Sequence, residues 1–161
     1  MIMKNQKEHK NNNKYTTFFL MLGSSFIAMY ITMYLNTYAI DHVYFSLTRF
    51  YMTCLGISTM AVIMLLFMLG MYRNKKKNTA IILGSCLLFG AALFLVRTQK
   101  PIVGDVLWMK AMIPHHSIAL LTSKRADIKD PEVRKLADNI IKAQEREIAE
   151  MKAMIKRLKN E

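Results

Sequence analysis

At 161 residues the chain has room for one compact unit or two small ones, and its 53% hydrophobic content lies above the ordinary soluble range. Its net charge of +12 gathers at the ends of apolar runs rather than along a basic-aromatic surface. That distribution argues against nucleic acid and for a membrane as the partner. Cys54 and Cys86 both sit inside apolar runs without CxxC spacing, so neither a disulfide framework nor a zinc knuckle organises the fold.

Residues 1–14 are polar and Asn-rich and read as a disordered tail. Three apolar runs follow, at about 15–35, 50–72 and 79–96, none with a charged residue or histidine between its ends. A bilayer core of ~30 Å needs about 20 helical residues, so each run predicts a transmembrane helix, the third slightly short. The first run is too long for a cleaved signal peptide and no A-x-A site follows it, so it reads as a retained span. Lys4, Lys7, Lys10 and Lys14 mark the tail, and Arg73, Lys75, Lys76 and Lys77 mark the loop between spans two and three. The loop between spans one and two has only Arg49 at its edge. Positive loops stay inside, which predicts a cytoplasmic N-terminus and an extracytoplasmic domain over 97–161 in a bacterial plasma membrane.

Methionines recur on one face of the spans: Met21, Met29 and Met33 in the first, and Met60, Met64, Met68 and Met71 in the second. A soft-ion path along them is conceivable, but adaptable apolar filling explains the same spacing more simply. Ala80, Gly84, Cys86 and Gly90 form small-residue pairs in span three, expected to pack within the bundle or between subunits. Spans without charge argue against a proton-coupled transporter.

Residues 97–161 predict an antiparallel helical hairpin. Asp105 is the expected N-cap of the first helix, which ends near Arg125, and Pro114 inside it predicts a kink or break. Asp130-Pro131-Glu132 opens the second helix with cap, proline and first-turn acid. That helix extends to about Leu158, with an apolar stripe from Val133 to Leu158 interrupted by Gln144 and Glu147. Two short helices make too small a core alone, so two hairpins are expected to pair into a four-helix bundle, or the hairpin to dock on the spans.

Met109, Met112 and His116 share a face of the first helix, with His115 close by. Counting back from the turn sets His116 near Ile140, Met112 near Gln144 and Met109 near Glu147 or Ile148, with Met151 within a turn of reach. Thioether and neutral imidazole form a soft, low-charge ligand set that suits Cu(I) or Ag(I) better than Mg, Ca or zinc. Gln144 and Glu147 are candidates to accept from an imidazole N–H and fix its tautomer. The competing reading keeps the histidines as buried hydrogen-bonding groups in a structural or interaction protein whose hairpin mediates oligomerisation. An enzyme is not expected, because no nucleophile with an orienting base, no HExxH and no carboxylate cluster occurs.

Met112-Ile113-Pro114-His115-His116, then Asp130-Pro131-Glu132-Val133-Arg134, then Gln144 through Met151 resemble, in order and spacing, the bacterial family named "domain of unknown function 305". The resemblance covers about residues 105–158, and the preceding spans resemble the membrane-anchored branch of that family. It implies an all-α, ferritin-like or four-helix bundle domain associated with copper or silver handling. It implies His and Met ligands, here Met112, His115, His116 and Met151, and carries no implication of a catalytic activity. Many soluble members carry Gln and Met where this chain has Ser117 and Thr122, so this helix holds fewer thioethers.

Overall fold

The computed structural model describes residues 2–160, with side chains from residue 13 onward. Among the described residues the fold is all-helical, without strands. The helices are α1 (Ile2–Thr32), α2 (Leu47–Phe67), α3 (Lys75–Thr98), α4 (Asp105–Arg125) and α5 (Pro131–Asn160), with a 3-10 turn at Ile40–His42. The expected disordered tail, 1–14, falls mostly on residues whose side chains lie outside the described ones. Its backbone from Ile2 continues α1. No Gly or Pro interrupts the stretch, and extending an existing helix needs no new nucleus.

Three helices are long and apolar enough to cross a membrane: the 13–32 stretch of α1, all of α2 and all of α3. The third begins earlier than its apolar residues do. Asn74 accepts the Lys77 amide on Oδ1 at 3.1 Å, so Lys75, Lys76 and Lys77 form the first turn of α3.

The chain divides into two compact units. The first takes in Met1–Tyr30 and Phe50–Thr98. Its core joins Tyr15 and Phe18 of α1 with Ala61, Leu65, Tyr72 and Ile81. One end is fastened by polar groups. The Tyr15 hydroxyl donates to Asn78 Oδ1 at 2.6 Å, and Asn78 Nδ2 donates to the Tyr72 carbonyl at 2.7 Å. Towards the other end, Phe26 and Phe50 meet edge to face at 5.5 Å. Gly56 lets Met29 lie against α2, since a Cβ there would sit 3.0 Å from the Met29 sulfur. Met64, Met68 and Met71 pack half-buried against the core as apolar filler.

The small residues of α3 do not pack within this unit. Ala80, Gly84, Cys86 and Gly90 are exposed, and an added Cβ at Gly84 or Gly90 would meet nothing within 4 Å. The buried face of α3 is Asn78, Ile81, Ser85 and Ala92 instead, and that corrects the expectation of packing within the bundle through the glycines.

The second unit comprises Ile31–Arg49 and Gln99–Glu161. Here α4 and α5 form the expected hairpin around Met109, Ile113, Leu120, Ile148, Met151 and Ile155. The cap of α4 is Gly104, one residue before the expected Asp105, and it makes no side-chain cap bond. Asp105 opens the helix instead, where its charge faces the positive end of the dipole. At α5 the expected cap is present: Asp130 Oδ1 accepts the amides of Glu132 and Val133, both at 2.9 Å. α4 continues through Pro114, so the helix does not break there.

Candidate functional site

Pro114 leaves one turn of α4 short of an amide donor, and the surrounding backbone is tied by side chains from the 31–49 segment. Arg49 donates to the Pro114 carbonyl at 3.3 Å and to the Met33 carbonyl, and its guanidinium lies 4.4 Å from the Tyr34 ring centroid. One turn further on, Ser117 is fully buried. Its Oγ accepts the Tyr38 amide at 2.7 Å and lies 2.9 Å from His42 Nδ1. Asp41 pairs with Lys152 of α5 at 2.6 Å. The sequence treats this segment as a bare connection; in the structure it is the third wall of the hairpin. Its one sequence signal is a histidine, His42, inside an otherwise ordinary loop.

Ser117, His42 and Asp41 follow one another as hydroxyl, imidazole and carboxylate. Asp41 Oδ1 is 3.9 Å from His42 Nε2 while Oδ2 of the same carboxylate is held by Lys152, and the serine has no path to solvent. Such a serine holds a loop; a nucleophile needs an open face. Burial pushes the His42 pKa below its usual value, Lys152 adds to that, and Asp41 partly opposes it.

The expected ligands lie on the α4 turn facing this segment and in the core beneath it. His115 is exposed and His116 half-buried, with ring centroids 6.0 Å apart and planes inclined by 61°. Met112 and His115 share a cavity of about 200 Å³ with Trp108 and Arg49. His116 turns the other way, towards α5: its Nδ1 is 3.1 Å from Glu147 Oε2. That nitrogen is buried and makes no hydrogen bond, because the carboxylate lies off its axis. Burial lowers the His116 pKa, the Glu147 charge opposes that, and His115 adds to it. The net shift favours the neutral imidazole, the form that can ligate a metal.

The register differs from the sequence count. His116 meets Glu147 rather than Ile140, seven residues or about two turns further along α5. At the linked end of the hairpin Arg134 donates to the Ser123 carbonyl at 3.3 Å, and Val133 and Leu136 stay exposed. The shift brings Glu147, not Gln144, to the imidazole; Gln144 is half-buried. It also sets Met109 and Met151 in the apolar core among Ile113, Leu120 and Ile148, while Met112 packs against that core from its edge. The structure thus gathers Met112, His115 and His116 on about one turn and holds Met109 and Met151 beneath them as core.

Among the described residues no three His, Cys, Asp or Glu side chains gather as an ion site, so a three-ligand site at this turn needs a methionine. Two imidazoles on one ion, with nitrogens about 2.0–2.1 Å from it, set their ring centroids roughly 6 Å apart when they face each other. The two rings are 6.0 Å apart but open to different sides, His115 to the Met112 cavity and His116 to Glu147, so one of them has to turn for both to meet one ion.

Fold and site define a helical-hairpin protein joined to three helices of membrane-crossing length. Residues 101–161 match the family described as Domain of unknown function (DUF305). The chain is also similar to "Uncharacterized protein L153" of Acanthamoeba polyphaga mimivirus, 32% identical over 139 residues, covering 84% of this chain and 89% of that protein. That likeness is longer than the matched family segment, so it extends into the preceding helices. The chain belongs to the DUF305 family. No solved structure matches it.

Proposed function

We propose that this is a membrane-tethered binding protein for a soft monovalent metal, Cu(I) or Ag(I), that buffers the ion or hands it on at the outer side of a plasma membrane. The observation that carries the reading is His116: a half-buried imidazole whose buried Nδ1 makes no hydrogen bond, beside a second imidazole and a thioether on the same turn. Met112, His115 and His116 would hold the ion. A small rotation of the His116 ring aligns Nδ1–H on Glu147 and leaves Nε2 as the donor, the usual division of labour for a ligating histidine. The bound ion supplies no reaction here; the residues bind and release it.

Orientation follows from the lysine asymmetry. Alkaline phosphatase fused after Leu158 should be active in a bacterial envelope and inactive after Lys77; the reverse pattern overturns the sidedness. Exposed Trp108, Leu136 and Met154 on the second unit support pairing of two hairpins.

Metal binding is tested on the full chain in detergent by competitive titration with Cu(I) and Ag(I). Met112→Leu with His116→Ala should weaken binding by at least tenfold while helix content stays unchanged. Met109→Leu with Met151→Leu should leave binding within a factor of about two, since those thioethers serve the core. If the wild-type chain binds neither ion more tightly than the Met112/His116 double variant, the hairpin is a structural or interaction module.

A further inference from the structure

A second cavity lies inside the first unit, with no histidine in its lining. It is an open, apolar groove of about 690 Å³. One wall is α1, from Tyr15 to Phe26; the other is α3, from Lys77 to Leu88; Ile57, Ser58 and Ala61 of α2 form its floor. At the helical rise each wall is about 16 Å long. That is half of a ~30 Å hydrocarbon core, the depth of one leaflet.

The groove is open because residues along it are small. Gly23 on one wall and Gly84 on the other would each carry a Cβ into empty space, with nothing within 4 Å. Its two ends differ in chemistry. At one end Lys77 Nζ lies 5.1 Å from the Tyr15 ring centroid, and Tyr15 is fixed by Asn78 at 2.6 Å. Arg73, Lys75 and Lys76 flank that lysine in sequence. From there the groove is lined by Phe19, Leu22, Phe26 and Leu88, with no further charge. A slot one leaflet deep, apolar along its length and cationic at its mouth, matches one kind of molecule: an acyl chain with an anionic headgroup.

We propose that this groove is a binding site for an anionic phospholipid of the leaflet on the basic side of the protein, its headgroup at Lys77 and one acyl chain lying along Gly23 and Gly84. The inference rests on the three helices crossing a bilayer and is independent of the metal site. Glycine on both walls opens the space that an acyl chain fills, and the Tyr15–Asn78–Tyr72 bonds hold the mouth in place before any lipid arrives.

The test uses the full chain reconstituted in vesicles of phosphatidylglycerol and phosphatidylcholine, extracted into mild detergent and weighed by native mass spectrometry. Resistance of the vesicle-bound chain to alkaline carbonate is scored first; loss to the supernatant defeats the spanning reading itself and is separate from the lipid result. The wild-type chain should retain one phosphatidylglycerol, preferred over phosphatidylcholine by at least tenfold. Gly84→Leu and Gly23→Leu fill the groove and should each abolish retention. Gly90→Leu, on the same helix but outside the groove and equally unopposed, should not. Lys77→Gln should retain a lipid but lose the preference for phosphatidylglycerol. Equal retention by Gly84→Leu and Gly90→Leu, or equal binding of the two lipids by the wild type, overturns the proposal. So does a lipid-free chain that forms a disulfide dimer through Gly84→Cys, because a second copy then fills the groove.

Discussion

Ser117→Ala isolates the clamp that joins the 31–49 segment to the hairpin. The change removes an oxygen that accepts the Tyr38 amide at 2.7 Å and meets His42 Nδ1 at 2.9 Å. Each buried hydrogen bond is worth about 1 kcal/mol net, and a stranded buried partner costs about 1–3 kcal/mol. Tyr38 is partly exposed, so water recovers some of its loss; His42 is buried and recovers little. Alanine returns about 0.5 kcal/mol through its better helix propensity. The net cost to docking of the segment is about 1.5–2.5 kcal/mol, which at about 1.4 kcal/mol per decade is roughly a ten- to sixty-fold larger open population. Hydrogen exchange read by mass spectrometry on the full chain in detergent checks this. Peptides covering 36–46 should exchange faster by that factor at neutral pH, while peptides from α2 and α3 should not change. Unaltered exchange at Tyr38 in Ser117→Ala would show that the segment is held by Arg49 and Lys152 alone and would refute the clamp.

Acidification should weaken the second unit. Burial holds both His42 and His116 below the usual value of 6.5, so the unfolded chain binds more protons than the folded one. Their contribution is full above pH 6.5 and is lost as pH falls through the folded values, and thermal unfolding followed between pH 7.5 and 5 should show a falling midpoint. Glu147→Gln removes the charge that opposes the depression of His116, so its titration, read from the ring resonances, should move further down. Ile113→Ala deletes a fully buried side chain at the centre of the hairpin and should cost about 2–4 kcal/mol in chemical unfolding. Asp130→Ala removes the acceptor of two amides at the start of α5 and should cost about 1 kcal/mol, read as faster exchange confined to the first turn of that helix.

The helices were legible in the sequence because their signals are local. An uninterrupted apolar run, a lysine cluster at its end and an Asp-Pro-Glu helix start each act through neighbouring residues, and α2, α3 and α5 form where those signals stand. Met112, His115 and His116 were legible as a candidate site for the same reason, since all three lie within five positions on one helix. The relations across the chain came from tertiary packing instead. The hairpin register depends on how a five-residue link leaves α4, and no local pattern fixes that; it moved α5 by about two turns, exchanged Gln144 for Glu147 at His116 and sank Met109 and Met151 in the core. The docking of His42 and Arg49 on α4 joins residues 65 to 75 positions apart, and it depends on a buried serine and a proline carbonyl whose availability emerges only once the helices are in place. The groove is equally non-local. Gly23 and Gly84 are unremarkable apolar-run glycines until α1 and α3 stand as facing walls with nothing between them.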